Sequence, residues 1–300
     1  MFHMNERHKA HLALLGANLF YGAGFTVAKS VMPTLIKPGG FILIRVLCAT
    51  FLFWLSFLGG KNYRTKIDRS DFVRLVFCGL LGVATNQLFF FKGLSLTTPI
   101  HASLMMLSTP ILVSVFAAVV LKEKFSKLNL FGLSLGVLGA AMLVTIAAKD
   151  KVAIHPILGD TFVFLNATSY AIYMIIVKPL MHKYRPIIVV RWVFLIGSLF
   201  VFPFGIQDFL AIHWTSFTPN NYLAVGFIVI GVTFFTYLWN IYAIRILSPA
   251  IAGAYIYIQP LFAAIIAILF LGEEMSMIKA AAAILIFVGV FLVSKKTLKL

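Results

Sequence analysis

Runs of about 20 residues without a charged side chain recur along the chain, and each is long enough as a helix to cross about 30 Å of hydrocarbon. That feature constrains the fold most. No water is available in hydrocarbon to satisfy exposed backbone groups, so a spanning segment is either a helix or a strand of a closed barrel. The runs are continuous and lack the period-two alternation of a barrel strand, so a helical bundle is the remaining architecture. Composition agrees: 61% of the 300 residues are hydrophobic and 11% are charged, against about 25% charged in soluble domains.

Charge, Pro and Gly punctuation divides the apolar sequence into ten expected helices: 12–32, 40–59, 71–91, 98–121, 128–147, 157–177, 187–206, 221–243, 247–271 and 278–294. The first run, behind Arg7 and Lys9, has the look of a signal peptide, but its length and lack of a small-x-small cleavage site favour a retained span. With the first terminus inside, the inner segments carry Arg7, Lys9, Lys61, Arg64, Lys66, Arg69, Arg74, Lys122, Lys124, Lys127, Lys178, Lys183, Arg185, Arg191, Arg245, Lys295, Lys296 and Lys299, which is 18 of the 25 basic residues. The bias of Lys and Arg toward the cytoplasm then places both termini in the cytoplasm and the protein in the cell membrane. The net charge of +16 is accounted for by topology and anionic lipid. No nucleic-acid-binding signature accompanies it. Cys48 and Cys78 both lie in apolar runs, so no disulfide framework or zinc motif is expected.

Sliding the chain by 150 residues superposes Pro99 on Pro249, Ala102 on Ala252, Pro110 on Pro260, Leu121 on Leu271, Glu123 on Glu273 and Gly139 on Gly289. A shift of 149 places Tyr21 on Tyr170, Lys29 on Lys178 and Met32 on Met181. Two repeats, 1–150 and 151–300, of five helices each are therefore expected. Five is odd, so the second must begin on the opposite side of the membrane, which makes the repeats inverted, as in many transporters. Equivalent loops differ in charge accordingly: five basic residues follow the second span, and none lies between Gln207 and Asn221 after the seventh.

The segments "STPILVSVFAAVVLKEK" (Ser108 to Lys124) and "IQPLFAAIIAILFLGEE" (Ile258 to Glu274), with "FYGAGFTVAK" (Phe20 to Lys29) and Arg45 early in the second span, resemble the EamA family of the drug/metabolite transporter superfamily. The resemblance covers nearly the whole chain. It implies ten helices in two inverted five-helix repeats and export or exchange of small metabolites, often amino acids. Tyr21 stands where many relatives carry tryptophan.

Polar residues gather at helical spacing: Asn166, Ser169, Tyr170 and Tyr173 in the sixth span, and Thr233, Thr236, Tyr237 and Asn240 in the eighth. Such stripes either join helices by hydrogen bonds or line a wet cavity. In the first half, Asn18, Tyr21, Gly22 and Phe25 share a face, Asn86 and Gln87 supply adjacent amides, and His101 lies one turn into its span, the best titratable candidate near neutral pH. Tyr255 and Gln259 mark the ninth span. Pro110 and Pro260 are expected to kink their helices and widen a central space, or simply to bend them for packing. Lys29 and Lys178 are expected near opposite mouths, and Glu123 and Glu273 are expected to be solvated helix-end acids. None of the nine acids falls near the middle of an expected span, so a buried carboxylate relay is not anticipated; Asp160 comes nearest.

These features point to a small-metabolite transporter working by alternating access, an exporter of amino acids or related polar molecules. The expected partners are a small-molecule substrate and membrane lipid, and the expected state is a monomer. No metal or cofactor is expected, and no nucleophile or metal-binding motif of an enzyme is present. A lipid translocase or a non-transporting membrane scaffold is the competing reading.

Overall fold

A computed structural model describes residues 6–55, 67–121, 128, 131–132, 134–139, 142, 153–246, 255 and 258–294. Within them the chain is helical, with no strand. The helices are α1 (Glu6–Val31), α2 (Pro38–Leu55), α3 (Arg69–Leu96), α4 (Pro99–Met106), α5 (Ser108–Leu121), α6 (Pro156–Lys183), α7 (Pro186–Leu210), α8 (219–246), α9 (Gln259–Leu271) and α10 (Met277–Ser294). Six are long and apolar enough to cross a membrane: α1, α2, α3, α6, α7 and α8. They are the first three expected spans of each half. The structure does not confirm all ten. The expected fourth span is broken at Leu107 into α4 and α5, the described part of the ninth is α9 with Tyr255 and Ile258, and half of the fifth, 128–147, lies outside the described residues, as do Lys61, Arg64, Glu123, Pro249 and the C-terminal lysines.

Local chemistry sets the helix ends. Prolines open α2, α4, α6, α7 and α8, where the missing N–H costs nothing because the first turn has no intrahelical acceptor for it. Thr98 caps α4 by accepting from the His101 N–H, and Thr218 with Asn221 forms a capping box at α8. Gly272, at φ 64°, ends α9 in the left-handed conformation a side chain would disfavour. Pro110 and Pro260 sit in the first turns of α5 and α9. Before Pro110 the break falls at Leu107, one turn ahead of the proline.

Helices of one half pack mainly on helices of the other. α2 lies on α7, α3 on α6, α1 on α8 and α9, and α4 and α5 on α6. Exchanging the two halves maps these pairs onto one another: α3 with α6 becomes α8 with α1, and the fourth span with α6 becomes α9 with α1. Small residues permit the close approaches. A Cβ on Gly22 of α1 would lie 2.6 Å from the Phe262 Cβ, and one on Gly93 of α3 would lie 2.8 Å from the Gly159 carbonyl oxygen. The periphery is apolar, with Phe51, Leu199, Phe204, Leu223, Leu269 and Phe270 exposed, the arrangement expected where the surrounding solvent is lipid.

Candidate functional site

Two π-helical stretches occupy matching places in the halves: Leu80–Thr85 within α3 and Phe227–Phe235 within α8. Each is followed at once by polar residues, Asn86 and Gln87 in the first and Thr236, Tyr237 and Asn240 in the second. A π stretch displaces the normal carbonyl ladder, so other donors must reach the freed oxygens. Ser169 of α6 donates to the Leu81 carbonyl at 2.6 Å, and Thr233 donates to the Ile228 carbonyl five residues back at 2.9 Å. Asn166 donates to the Asn86 carbonyl at 2.7 Å, while its own Oδ1 has no protein partner among the described residues. Part of the α6 stripe thus joins helices.

At the meeting point of α2, α3 and α8 lies Arg45, buried at 8% exposure. Its Nε donates to Thr233 Oγ1 at 2.6 Å and its Nη1 to Gln87 Oε1 at 2.6 Å. Gln87 passes the chain on, donating to Asn86 Oδ1 at 2.9 Å. The guanidinium stands 5.1 Å from the centre of the Phe91 ring, within cation–π range. Arg45 lies early in the expected second span, and the residues that hold it lie 42 and 188 positions away.

Around Arg45 stand Tyr21 of α1 and Tyr237 of α8, both close enough to interact with its charge. Tyr170 and Tyr173 of α6 lie within electrostatic range of these tyrosines. All four are partly buried, and Tyr21, Tyr173 and Tyr237 pack against the hydrophobic core. Asn240 donates to the Tyr21 hydroxyl at 3.5 Å and to the Thr236 carbonyl at 2.8 Å. Phe53 and Phe194 pack against the Tyr237 ring at 5.8 and 5.2 Å and form an apolar wall. The structure therefore brings Tyr21, Asn86, Gln87, Tyr170, Tyr173, Tyr237 and Asn240 together. Gln259 lies beside them, donating to Asn18 Oδ1 at 2.8 Å between α9 and α1. Tyr255 is apart, its hydroxyl 2.8 Å from His11 Nδ1 near the start of α1.

His101 belongs to a second cluster at one end of the bundle. Its Nδ1 is 3.1 Å from Asp160 Oδ2, with both side chains fully buried, and Thr97 donates to Asp160 Oδ1 at 2.7 Å. Glu273 is also buried, correcting the expectation of a solvated acid: it accepts from Thr98 at 2.5 Å and from the Ile100 N–H at 3.3 Å, and it lies 3.6 Å from Lys279. Burial pushes its carboxyl above the ordinary range, partly offset by the Thr98 hydrogen bond and the Lys279 charge. Asp160, the acid the sequence places nearest to a span interior, and Glu273, expected to be solvated, are thus both buried. Lys29 donates to the carbonyls of Leu94, Ser95 and Thr97 at 2.7 to 2.9 Å, completing the C-terminal end of α3 rather than reaching outward. At the opposite end the ion pairs are more open: Lys183, half exposed, bridges Asp68 and Asp71 at 2.6 Å.

The sequence matches the EamA-like transporter family twice, over residues 8–145 and 157–295. The chain belongs to the EamA-like transporter family. An uncharacterized transporter of Archaeoglobus fulgidus is 25% identical over 96% of this chain and 98% of its own length. The uncharacterized transporter YyaM of Bacillus subtilis is 20% identical over 98% and 95%, and the protein WALLS ARE THIN 1 of Arabidopsis thaliana 23% identical over 96% and 83%. A solved crystal structure shares the fold, with a TM-score of 0.64 at 17% identity, covering 98% of this chain and all of the other. This EamA protein is thus a multi-pass membrane protein of a transporter family. Its double match coincides with the two halves in which the π stretches recur.

Proposed function

We propose that this EamA protein exports amino acids or related small polar metabolites by alternating access, as a monomer in the cell membrane with both termini cytoplasmic. The halves 1–150 and 151–300 are inverted repeats that rock about the central polar cluster. The observation that carries the reading is the cluster itself: Gln87, Tyr21, Tyr170, Tyr237 and Asn240, supplied by four helices from both halves, retain accessible surface deep in the bundle. Inverted repeats place substrate sites at the repeat interface near mid-membrane, and a partly apolar space with a few convergent polar groups is the usual form of a small-molecule site. The buried Asp160 and Glu273 cluster closes one end, and the half-exposed Lys183 pairs leave the other looser, so the support for two alternating gates is structural as well as topological. Pro110 and Pro260, at the starts of α5 and α9, lie where such a motion bends the fourth and ninth spans.

A lipid translocase is favoured by one feature, an open groove of about 460 Å³ lined by Leu47, Cys48, Phe51, Leu52, Val229 and Ile230. All six side chains are apolar, so the groove offers acyl contact but nothing for a headgroup. Reconstitution of the purified protein into vesicles separates the readings. Flux of amino acids that falls roughly 5- to 150-fold in the Asn86→Ala and Gln259→Ala variants, the cost of one lost hydrogen bond, supports the transporter. Lipid movement without solute flux overturns it.

A further inference from the structure

We infer that Arg45 is the docking point for a carboxylate, so that the cargo of the central site is a carboxylic acid carried as its monoanionic group. The inference rests on the transporter reading and adds to it the group the site recognises.

The argument is one of charge and donor accounting. A guanidinium holds five N–H donors, and Arg45 uses two, toward Thr233 and Gln87. Among the described residues no acid pairs with it. Asp160 and Glu273 are engaged at the closed end, Asp68 and Asp71 with Lys183, and Glu6 with Lys9 and Tyr242. Asp208 lies against Gly39, and Glu274 is exposed beyond the end of α9. The neighbours of Arg45, namely Phe91, Tyr21, Tyr237, Thr233 and Gln87, are all neutral. Burying a charge is strongly unfavourable unless a counter-charge or full hydrogen bonding compensates. Arg45 has a ring face and two neutral acceptors, which orient it but leave its charge unbalanced.

The orientation is itself informative. Thr233 and Gln87 approach from α8 and α3, the two helices whose π stretches displace their backbones at this level. Each acceptor is fixed in turn: Thr233 by donating to the Ile228 carbonyl, and Gln87 by donating to Asn86. The guanidinium is thus held rigid by both halves while three N–H groups remain uncommitted beside Tyr21 and Tyr237. A planar fork of this kind matches a carboxylate in shape and bonds it with two parallel contacts. One positive charge balances one carboxylate. A phosphate dianion would leave a net negative charge in the same apolar surroundings, where the described residues supply no second cation. Contact from both halves also ties occupancy of the site to their relative position.

The test uses the full chain in proteoliposomes and in detergent, with matched probes: L-alanine, L-threonine and L-phenylalanine, the amide and the decarboxylated amine of each, acetate and inorganic phosphate. Wild-type flux of the acids at least tenfold above their amides and amines, lost roughly 10- to 100-fold in Arg45→Gln and partly kept in Arg45→Lys, supports the assignment. Lys37→Gln, on the exposed surface, should leave it intact. Amides and amines carried as well as the acids overturn the carboxylate site while leaving the transporter standing. Phosphate preferred to every carboxylate overturns it too. If no probe shows flux, the transporter reading fails, and thermal stabilisation in detergent decides Arg45 separately. Stabilisation by acids and not amides, absent in Arg45→Gln, supports the site, and equal stabilisation by both, or by neither, overturns it. Should Arg45→Gln fail to fold, Thr233→Val, which removes one orienting acceptor, must lower acid flux while amide flux stays unchanged; parallel loss of both counts against it.

Discussion

Replacing Asp160 by asparagine keeps the size of the side chain and removes the charge from the buried knot that ties α4 to α6. Asp160 accepts from Thr97 at 2.7 Å and faces His101 at 3.1 Å. A hydrogen bond to a charged group contributes about 1.5–3 kcal/mol and one between neutral groups about 0.5–1.5. Each of the two contacts therefore loses roughly 1 kcal/mol, and the closed end about 2 kcal/mol in all. If that end opens during transport, the closed-to-open ratio falls about 30-fold. A reporter cysteine at Thr26, buried on α1 between Tyr21 and Lys29, with Cys48 and Cys78 replaced, reads the change. Labelling by a membrane-impermeant thiol reagent on intact cells should accelerate by about that factor in Asp160→Asn and further in Asp160→Ala. Unchanged labelling with only a lower melting temperature would refute the gate and leave the pair a structural tie between helices.

Glu273 makes stability depend on pH: because burial raises its folded pKa above the unfolded value, the folded protein holds this proton more tightly, and stability falls as pH rises through the window above about 4.5. Melting curves of wild type in detergent should show that fall and Glu273→Gln should flatten it; identical pH profiles would contradict it. Gly22→Ala places a Cβ 2.6 Å from Phe262 and should cost about 1–3 kcal/mol by overpacking α1 against α9, seen as a lower melting temperature. A cysteine at Asn62 should resist impermeant reagent in intact cells and one at Thr215, on an exposed turn, should react; the reverse pattern would invert the topology.

Much of the helical layout was legible because its cause is local. An apolar run of membrane length has one low-energy answer, a helix, and prolines at 38, 99, 156, 186 and 219 mark starts that the structure keeps. The self-match at 149 to 150 residues likewise anticipates the exchangeable packing of α3 with α6 and α8 with α1. The polar stripes of the sixth and eighth spans were legible from spacing alone, but not their division of labour: Asn166 and Ser169 serve the α3 backbone, while the Tyr170 and Tyr173 rings lie against each other.

What only the tertiary structure decided is which polar groups share an environment. Tyr255 and Gln259 sit one turn apart in the sequence, yet one meets His11 and the other Asn18. Glu273, two residues beyond the end of α9, looks solvated in the sequence, but the start of α4 covers it and supplies the Thr98 hydroxyl and the Ile100 N–H. Arg45 reads as a membrane-edge cation until α3 and α8 are known to converge on it. A helix follows from the solvent preference of consecutive side chains, which the sequence records directly. The energy of a buried charge depends instead on donors, acceptors and counter-charges within a few ångströms, and in this bundle those come from helices far apart in the chain.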